Sequence, residues 1–173
     1  MFRMVLAEGR SLIRQRDTIE ARADELLSNQ EDYKLLRSIP GIGPISALTI
    51  LAEAGDVRRF RHHRQFLKFC GMDLATIQSG MFRGRSKISK YGNARLRRML
   101  WVAAHAAVLK RANSFRDKFE RYISKDRQNP DLRRKAHTAI AAKMARTVHA
   151  VIKSGAPYRP FFEGTSPGGK TSF

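Results

Sequence analysis

A serine ahead of a glycine, with cations crowded behind it, is where residue types and spacing in this chain first suggest chemistry. Ser79 precedes Gly80, and residues 83–98 carry seven basic side chains and no acidic one. A serine in that setting can sit on an exposed, sharply turned backbone from which its Oγ acts as a nucleophile. Guanidinium groups beside it would hold a phosphate and stabilise negative charge developing there. The cations concerned are Arg83, Arg85, Lys87, Lys90, Arg95, Arg97 and Arg98. On residue type alone, Ser79 is a loop serine and the arginines are plain phosphate contacts.

A second constellation lies upstream, in Leu36-Arg37-Ser38-Ile39-Pro40-Gly41-Ile42-Gly43-Pro44-Ile45. Its spacing is that of a helix-hairpin-helix motif. The backbone at Gly41, Ile42 and Gly43 would approach a phosphate closely, and N–H groups opening the next helix would offer an anion seat. Pro44 removes one such donor. Contacts of this kind position a duplex without reading its sequence. The competing reading is a tight turn inside a core, since Ile39, Ile42 and Ile45 are buried in either case.

Other candidates are weaker. His62 and His63 lack a metal-ligand partner at helical spacing, and His137 and His149 stand far apart. Glu53, Asp56 and Asp73 are scattered rather than gathered for two-metal phosphoryl transfer, so no metal-ligating residue is assigned. Trp101 and Phe69 are expected in the core rather than as base-stacking platforms.

These groups must be positioned by helices. Phe2, Val5, Gly9, Leu12, Arg16, Ile19, Ala23 and Leu26 recur in steps of three and four, which predicts one helix over 2–27 with a coiled-coil seam. Residues 1–32 therefore read as the end of a longer hairpin or a dimer arm, or as an amphipathic helix packed on its own domain. Two short helices flank the glycine turn, with Pro44 in the first turn of the second and Gly55 at its end. A helix is expected over 58–69, a loop or irregular ribbon over 72–89, and helices over 91–111 and 114–124. Asn129-Pro130-Asp131 opens a helix to about Lys153. Residues 33–163 form the helical domain, and 164–173, rich in Gly, Ser and Thr, are expected to be disordered. The fold class is all-α: a helical domain with a helix-hairpin-helix, preceded by a coiled-coil helix.

The charge names a partner. The chain has 173 residues and a formal net charge of +19. Residues 1–32 hold five basic and seven acidic side chains, so the entire excess lies downstream. Between Asp73 and Asp117 ten basic side chains occur without one acid. A one-sign field of that extent attracts a polyanion. Nucleic acid fits better than an anionic membrane, because turns break the basic stretch. There is no apolar run of membrane-spanning length and no signal peptide. Cys70 stands alone, which excludes an internal disulfide and a multi-cysteine zinc site. A cytoplasmic, nucleoid-associated protein is expected.

The motifs also occur together in one order. Leu36–Gly55 with its glycine turn is followed by Phe60-Arg61 with Phe66 and Gly71, and then by Ser79-Gly80. Ile88-Ser89-Lys90 with Gly92-Asn93 and Leu96-Arg97 comes next, then Ala141–Arg146 and Gly155–Tyr158. Over roughly residues 33–163 this resembles the C-terminal transposase domain of the "one-ten" family of insertion-sequence transposases, related to the pilin-gene DNA invertases. The resemblance implies a recombinase that excises and inserts a mobile element, in several members guided by a structured bridge RNA. Ser79 matches the family's nucleophile, which forms a phosphoserine link to DNA. Lys90, Arg95 and Arg97 would lie at or near the scissile DNA, an inference from charge and proximity.

Family members open with a RuvC-like domain whose acids bind magnesium, followed by a coiled coil. This chain opens in what resembles the coiled coil. Magnesium is therefore expected only with the missing RuvC-like domain, and no cofactor is assigned to this chain. The expectation is binding of DNA, and of a guide RNA where one is used, as a homodimer or tetramer, without recombination by the chain alone. The alternative is a non-enzymatic nucleic-acid-binding module. A dimerisation scaffold built on residues 2–27 is a third reading.

Overall fold

The computed structural model describes residues 2–75, 78–79, 82–83, 87–110 and 113–160. Arg85 and the tail 164–173 lie outside them, as do the side chains of Ser79, Arg83 and Lys87. Seven helices carry the described chain: α1 (Phe2–Leu27), α2 (Glu31–Arg37), α3 (Pro44–Ala54), α4 (His63–Phe69), α5 (Ala94–Leu109), α6 (Ser114–Ile123) and α7 (Pro130–Ser154). The fold is all-α, as the sequence predicts. Among the described residues β structure is confined to four two-residue strands: β1 (Leu74–Ala75), β2 (Gln78–Ser79), β3 (Phe82–Arg83) and β4 (Lys87–Ile88).

α7 is the axis of the domain, packed by α5, α6, α4 and α2. Ala136, Ile140, Met144, Val148, Val151 and Ile152 recur at helical spacing and are buried. Ala103, Ala104 and Ala107 of α5, with Ala141 and Ala145 of α7, are buried too. Such small side chains let backbones come close, so the core depends on near contact as well as on bulk. Both ends of α7 are set locally. Asn129 Oδ1 accepts from the N–H groups of Asp131 (3.0 Å) and Leu132 (3.1 Å), Pro130 occupies the first turn, and the chain leaves the helix at Gly155. Asn113 does the same for α6, accepting from Phe115 and Arg116 N–H, while its Nδ2 donates to Ala107 O (2.8 Å) and Lys110 O (3.1 Å). One buried amide therefore ties the end of α5 to the start of α6.

Two boundaries differ from the sequence reading. In place of one helix over 58–69 there is a 3-10 turn (Val57–Arg59), an extended link through Phe60 and His62, and then α4. The break has a tertiary cause: Phe60 O is taken by His149 Nε2 (2.9 Å) and Lys153 Nζ (3.3 Å) of α7 instead of by a helical N–H. The Phe60 ring packs on Phe66 and Phe69, with centroids 5.3 and 5.2 Å away. His62 Nδ1 then caps α4 by accepting from Arg64 N–H at 3.2 Å. The other shift is at α5, which begins at Ala94 because Asn93 is its N-cap, Oδ1 accepting from Leu96 N–H at 2.9 Å.

α1 is an arm. At 1.5 Å per residue its 26 residues extend about 39 Å, and it packs on α3. Ala23 is buried there, Tyr33 Oη donates to Asp24 Oδ1, and Arg37 Nε lies 3.9 Å from the same carboxylate. Val5, Leu12, Ile19 and Leu26 of the seam are exposed. No helix among the described residues is long and apolar enough to cross a membrane.

Candidate nucleic-acid interface

The segment between α4 and α5 folds back on itself. β1 pairs antiparallel with β4, Leu74 opposite Ile88, and β2 pairs with β3, Ser79 opposite Phe82. Among the described residues, Ser79 and Phe82 form the pair of β2 and β3 farthest from the base.

The base of the ribbon is fixed by residues that the sequence suggested for other reasons. Ser89 N–H donates to Asp73 O (2.8 Å), Lys90 N–H to Gly71 O (3.2 Å) and Asn93 N–H to Phe69 O (2.8 Å). Gly92 is required for this approach. At φ 144° it lies so close to the end of α4 that a Cβ would meet Phe69 O at 2.5 Å and Gly71 N at 2.6 Å. Arg97 Nη1 crosses the base, donating to Lys90 O (3.1 Å) and Cys70 O (3.3 Å). Asn93 Nδ2 donates to Glu53 Oε2 of α3 at 2.7 Å, and Arg95 Nη1 lies 3.5 Å from the other oxygen. The Lys-x-Gly-Asn-x2-Leu-Arg pattern is in large part a clamp.

The basic candidates thus divide. Arg97 is half-buried and committed to backbone carbonyls. Arg95 shares Glu53 but is exposed, its side chain 85% accessible. Lys90 and Arg98 are exposed and have no acidic partner among the described residues. Lys90 also holds the left-handed conformation, at φ 58°. For a side chain with a Cβ that conformation costs of order 1–3 kcal/mol, and it concentrates at functional sites. Arg95, Arg97 and Arg98 all follow the N-cap of α5, whose first turn has no acid. Cations at the positive end of a helix dipole repel it, and an anion docked there would relieve the repulsion.

The glycine turn is organised differently. Gly41 and Ile42 are buried, Ile39 is buried beside them, and Ile45 is half-buried. Gly41, at φ 91°, rests on α5, where a Cβ would come within 2.7 Å of Ala107 N and Ala107 Cβ, and closer still to Ala103 O. Gly43, the N-cap of α3, is half-buried and has room. Of the two turn glycines, Gly43 is the one with room for a Cβ.

Two further findings concern chemistry. Cys70 is buried, and burial pushes its thiol up to about 12, so it is no nucleophile. Among the described residues no three acidic, histidine or cysteine side chains gather to hold a metal. The expectation for Trp101 is overturned: the residue is 42% exposed, because residue 101 falls beside the buried stripe Leu96, Leu100, Ala103, Ala107 and not on it. Tyr158, in the last matched motif, has a structural duty. Its N–H donates to Ser38 Oγ (2.8 Å) and its hydroxyl bonds Ser114 Oγ (2.8 Å), closing the chain end over α2 and α6.

Residues 33–120 match the family described as Transposase IS116/IS110/IS902 family. The chain is 34% identical to a protein of Pseudomonas aeruginosa named "Probable family 20 transposase", over 87% of this chain and 46% of that one. It is 32% identical to the transposase for insertion sequence element IS1111A of Coxiella burnetii, over 75% of this chain and 35% of that protein. It is 26% identical to the insertion element IS110 uncharacterized 43.6 kDa protein of Streptomyces coelicolor, over 90% of this chain and 36% of the relative. The chain spans less than half the length of these relatives.

Proposed function

Given that this chain belongs to the IS116/IS110/IS902 transposase family, we propose that it holds transposon DNA and supplies Ser79 as the nucleophile for strand cleavage and rejoining. The observation that carries this is the pairing of Ser79 with Phe82, the outermost pair of the ribbon among the described residues. The base of that ribbon is clamped beside Lys90 and the arginine-bearing start of α5. In the reaction Ser79 Oγ attacks phosphorus, a serine–phosphate bond forms, and the bond to the deoxyribose oxygen breaks. The hydroxyl proton leaves, and the displaced oxygen takes up a proton. The phosphodiester energy is kept in the phosphoserine link, so rejoining needs no nucleotide cofactor. Arg95, Arg98 and Lys90, with Arg83, Arg85 and Lys87 of the same basic stretch of sequence, would bind the flanking phosphates and offset the charge of the five-coordinate state. Gly43 and the start of α3 would add a second backbone contact.

The rest of the site is expected in a RuvC-like half whose acids carry magnesium, so the chain alone would bind DNA without recombining it. A guide RNA and assembly into a dimer or tetramer belong to the same reading. The alternative, a binding module without chemistry, separates on Ser79. The test is covalent trapping on a supercoiled plasmid bearing the element's ends, with and without a separately supplied RuvC-like half and any guide RNA. A denaturation-resistant adduct that needs the partner and is lost in Ser79→Ala is the expected result. Salt-sensitive binding with no adduct under all these conditions would refute the nucleophile and leave the binding module.

A further inference from the structure

Beside the ribbon clamp, between α5 and α7, lies an open cavity of about 340 Å³. Met72 and Ala141, both buried, make its floor, Trp101 lines it, and Lys90, Arg97 and Arg98 add cations. That volume is at the lower end of small-ligand pockets (roughly 300–1,000 Å³). The lining mixes two chemistries. An apolar floor with an exposed indole does nothing for a phosphate, and cations with no acidic partner do nothing for an apolar protein segment. A nucleotide unstacked from its neighbours has both parts, a flat apolar base and a charged linkage.

The indole is also held in place. Trp101 stacks on His105 with planes 3° apart and centroids 5.7 Å apart, and His137 contacts both rings, 5.7 Å from Trp101 and 4.9 Å from His105. Phe119 backs His137 at 4.6 Å. An aromatic platform whose orientation is already fixed loses little conformational freedom when a base settles on it.

We infer that this cavity takes an unpaired nucleobase of a single-stranded nucleic-acid segment, stacked on Trp101 with its flanking phosphates on Lys90 and Arg98. The inference rests on the nucleic-acid reading above and adds a strand type and a residue to it. Duplex DNA keeps its bases stacked and would not fill the cavity. Stacking on one aromatic ring corresponds to about 5- to 150-fold in affinity.

Trp101 is the single tryptophan of the chain, so its fluorescence reports on this cavity alone. The experiment titrates the full chain with a labelled oligodeoxythymidylate, an abasic phosphodiester strand of the same length and a duplex, following label anisotropy and tryptophan emission together. The expected result is saturable quenching by oligodeoxythymidylate and little by the abasic strand, which binds about 5- to 150-fold more weakly. Trp101→Leu should bring oligodeoxythymidylate down to the abasic level, and Trp101→Phe, which keeps a ring, should restore most of it. Anisotropy showing tight oligodeoxythymidylate binding with unchanged emission overturns the inference and leaves DNA binding intact. Emission that changes with protein concentration and not with oligonucleotide overturns it too, assigning the cavity to a second copy. Absence of binding to every strand removes the nucleic-acid reading itself. Should Trp101→Leu fail to fold, the titration of the unaltered chain decides.

Discussion

Gly41→Ala separates a packing role from a DNA-contact role at the glycine turn, and its size follows from the geometry. The residue has φ 91°, and a methyl group there would be driven into α5 at Ala103 O, Ala107 N and Ala107 Cβ. A non-glycine residue in such a conformation costs about 1–3 kcal/mol, and forcing a methyl into a filled site costs about 1–3 kcal/mol more. The expected destabilisation is roughly 2–6 kcal/mol, a large part of the 5–15 kcal/mol typical of a folded domain. At about 2–4 °C per kcal/mol for a chain of this size, the melting temperature should fall by roughly 5–20 °C. Gly43→Ala is the control. Its backbone is ordinary (φ −92°), and the nearest atom to a Cβ would be Arg37 Nη1 at 3.9 Å. Only a weakened N-cap of about 1 kcal/mol is lost there. Thermal unfolding followed by circular dichroism measures both variants, with duplex affinity measured on each folded protein. If Gly41→Ala melts with the unaltered chain while its duplex affinity drops, Gly41 faces a phosphate and not α5, and the packing argument is refuted.

Further predictions test the clamp and its surroundings. Asn93→Ala removes the α5 cap and the bond to Glu53, and should destabilise by about 1–2 kcal/mol; urea unfolding with an unchanged midpoint would contradict it. Arg98→Gln should leave stability within about 0.5 kcal/mol while lowering the salt slope of nucleic-acid binding by about one, and an unchanged slope would remove Arg98 from the interface. His137 is held below the ordinary histidine value by burial first, then by His105 and Arg133. A histidine whose pKa is lowered by folding takes up its proton more readily when unfolded. Stability should therefore fall as pH drops below about 6.5 and level off below the folded value. His137→Phe should flatten that part of the profile, and a profile unchanged in the variant would refute the assignment. Cys70 should resist a thiol reagent in the native chain and react in denaturant, so fast native labelling would contradict its burial.

The legible parts of this fold are those written in local chemistry. Asn129-Pro130 and Pro44 mark helix starts whatever lies around them, and the buried stripes of α5 and α7 follow from spacing alone. What stayed hidden depends on neighbours distant in sequence. Phe60 breaks a helical pattern because His149, on α7, competes for its carbonyl. His62 is an unusual cap, so no signal marked it. Asn93 after Gly92 is an ordinary cap signal, and it marks the start of α5. Gly41 and Gly92 have the same local signature as phosphate-approaching glycines, and only the tertiary partner shows that each instead admits another stretch of this chain. Trp101 is apolar in character but lies off the stripe of α5, and position outweighs residue type. Ser79 is conspicuous through its basic company, while its pairing opposite Phe82 depends on strand register.

The clamp also gives the ribbon freedom to change. Because Ser89, Lys90 and Asn93 bind the backbone of residues 69–73, both ends of the ribbon are anchored independently of what lies between them. Between fixed ends, each doubling of loop length costs only about 0.6 kcal/mol of closure entropy. Residues inserted between β1 and β4 should therefore cost the helical domain little, so length there can vary while the base that anchors it stays the same.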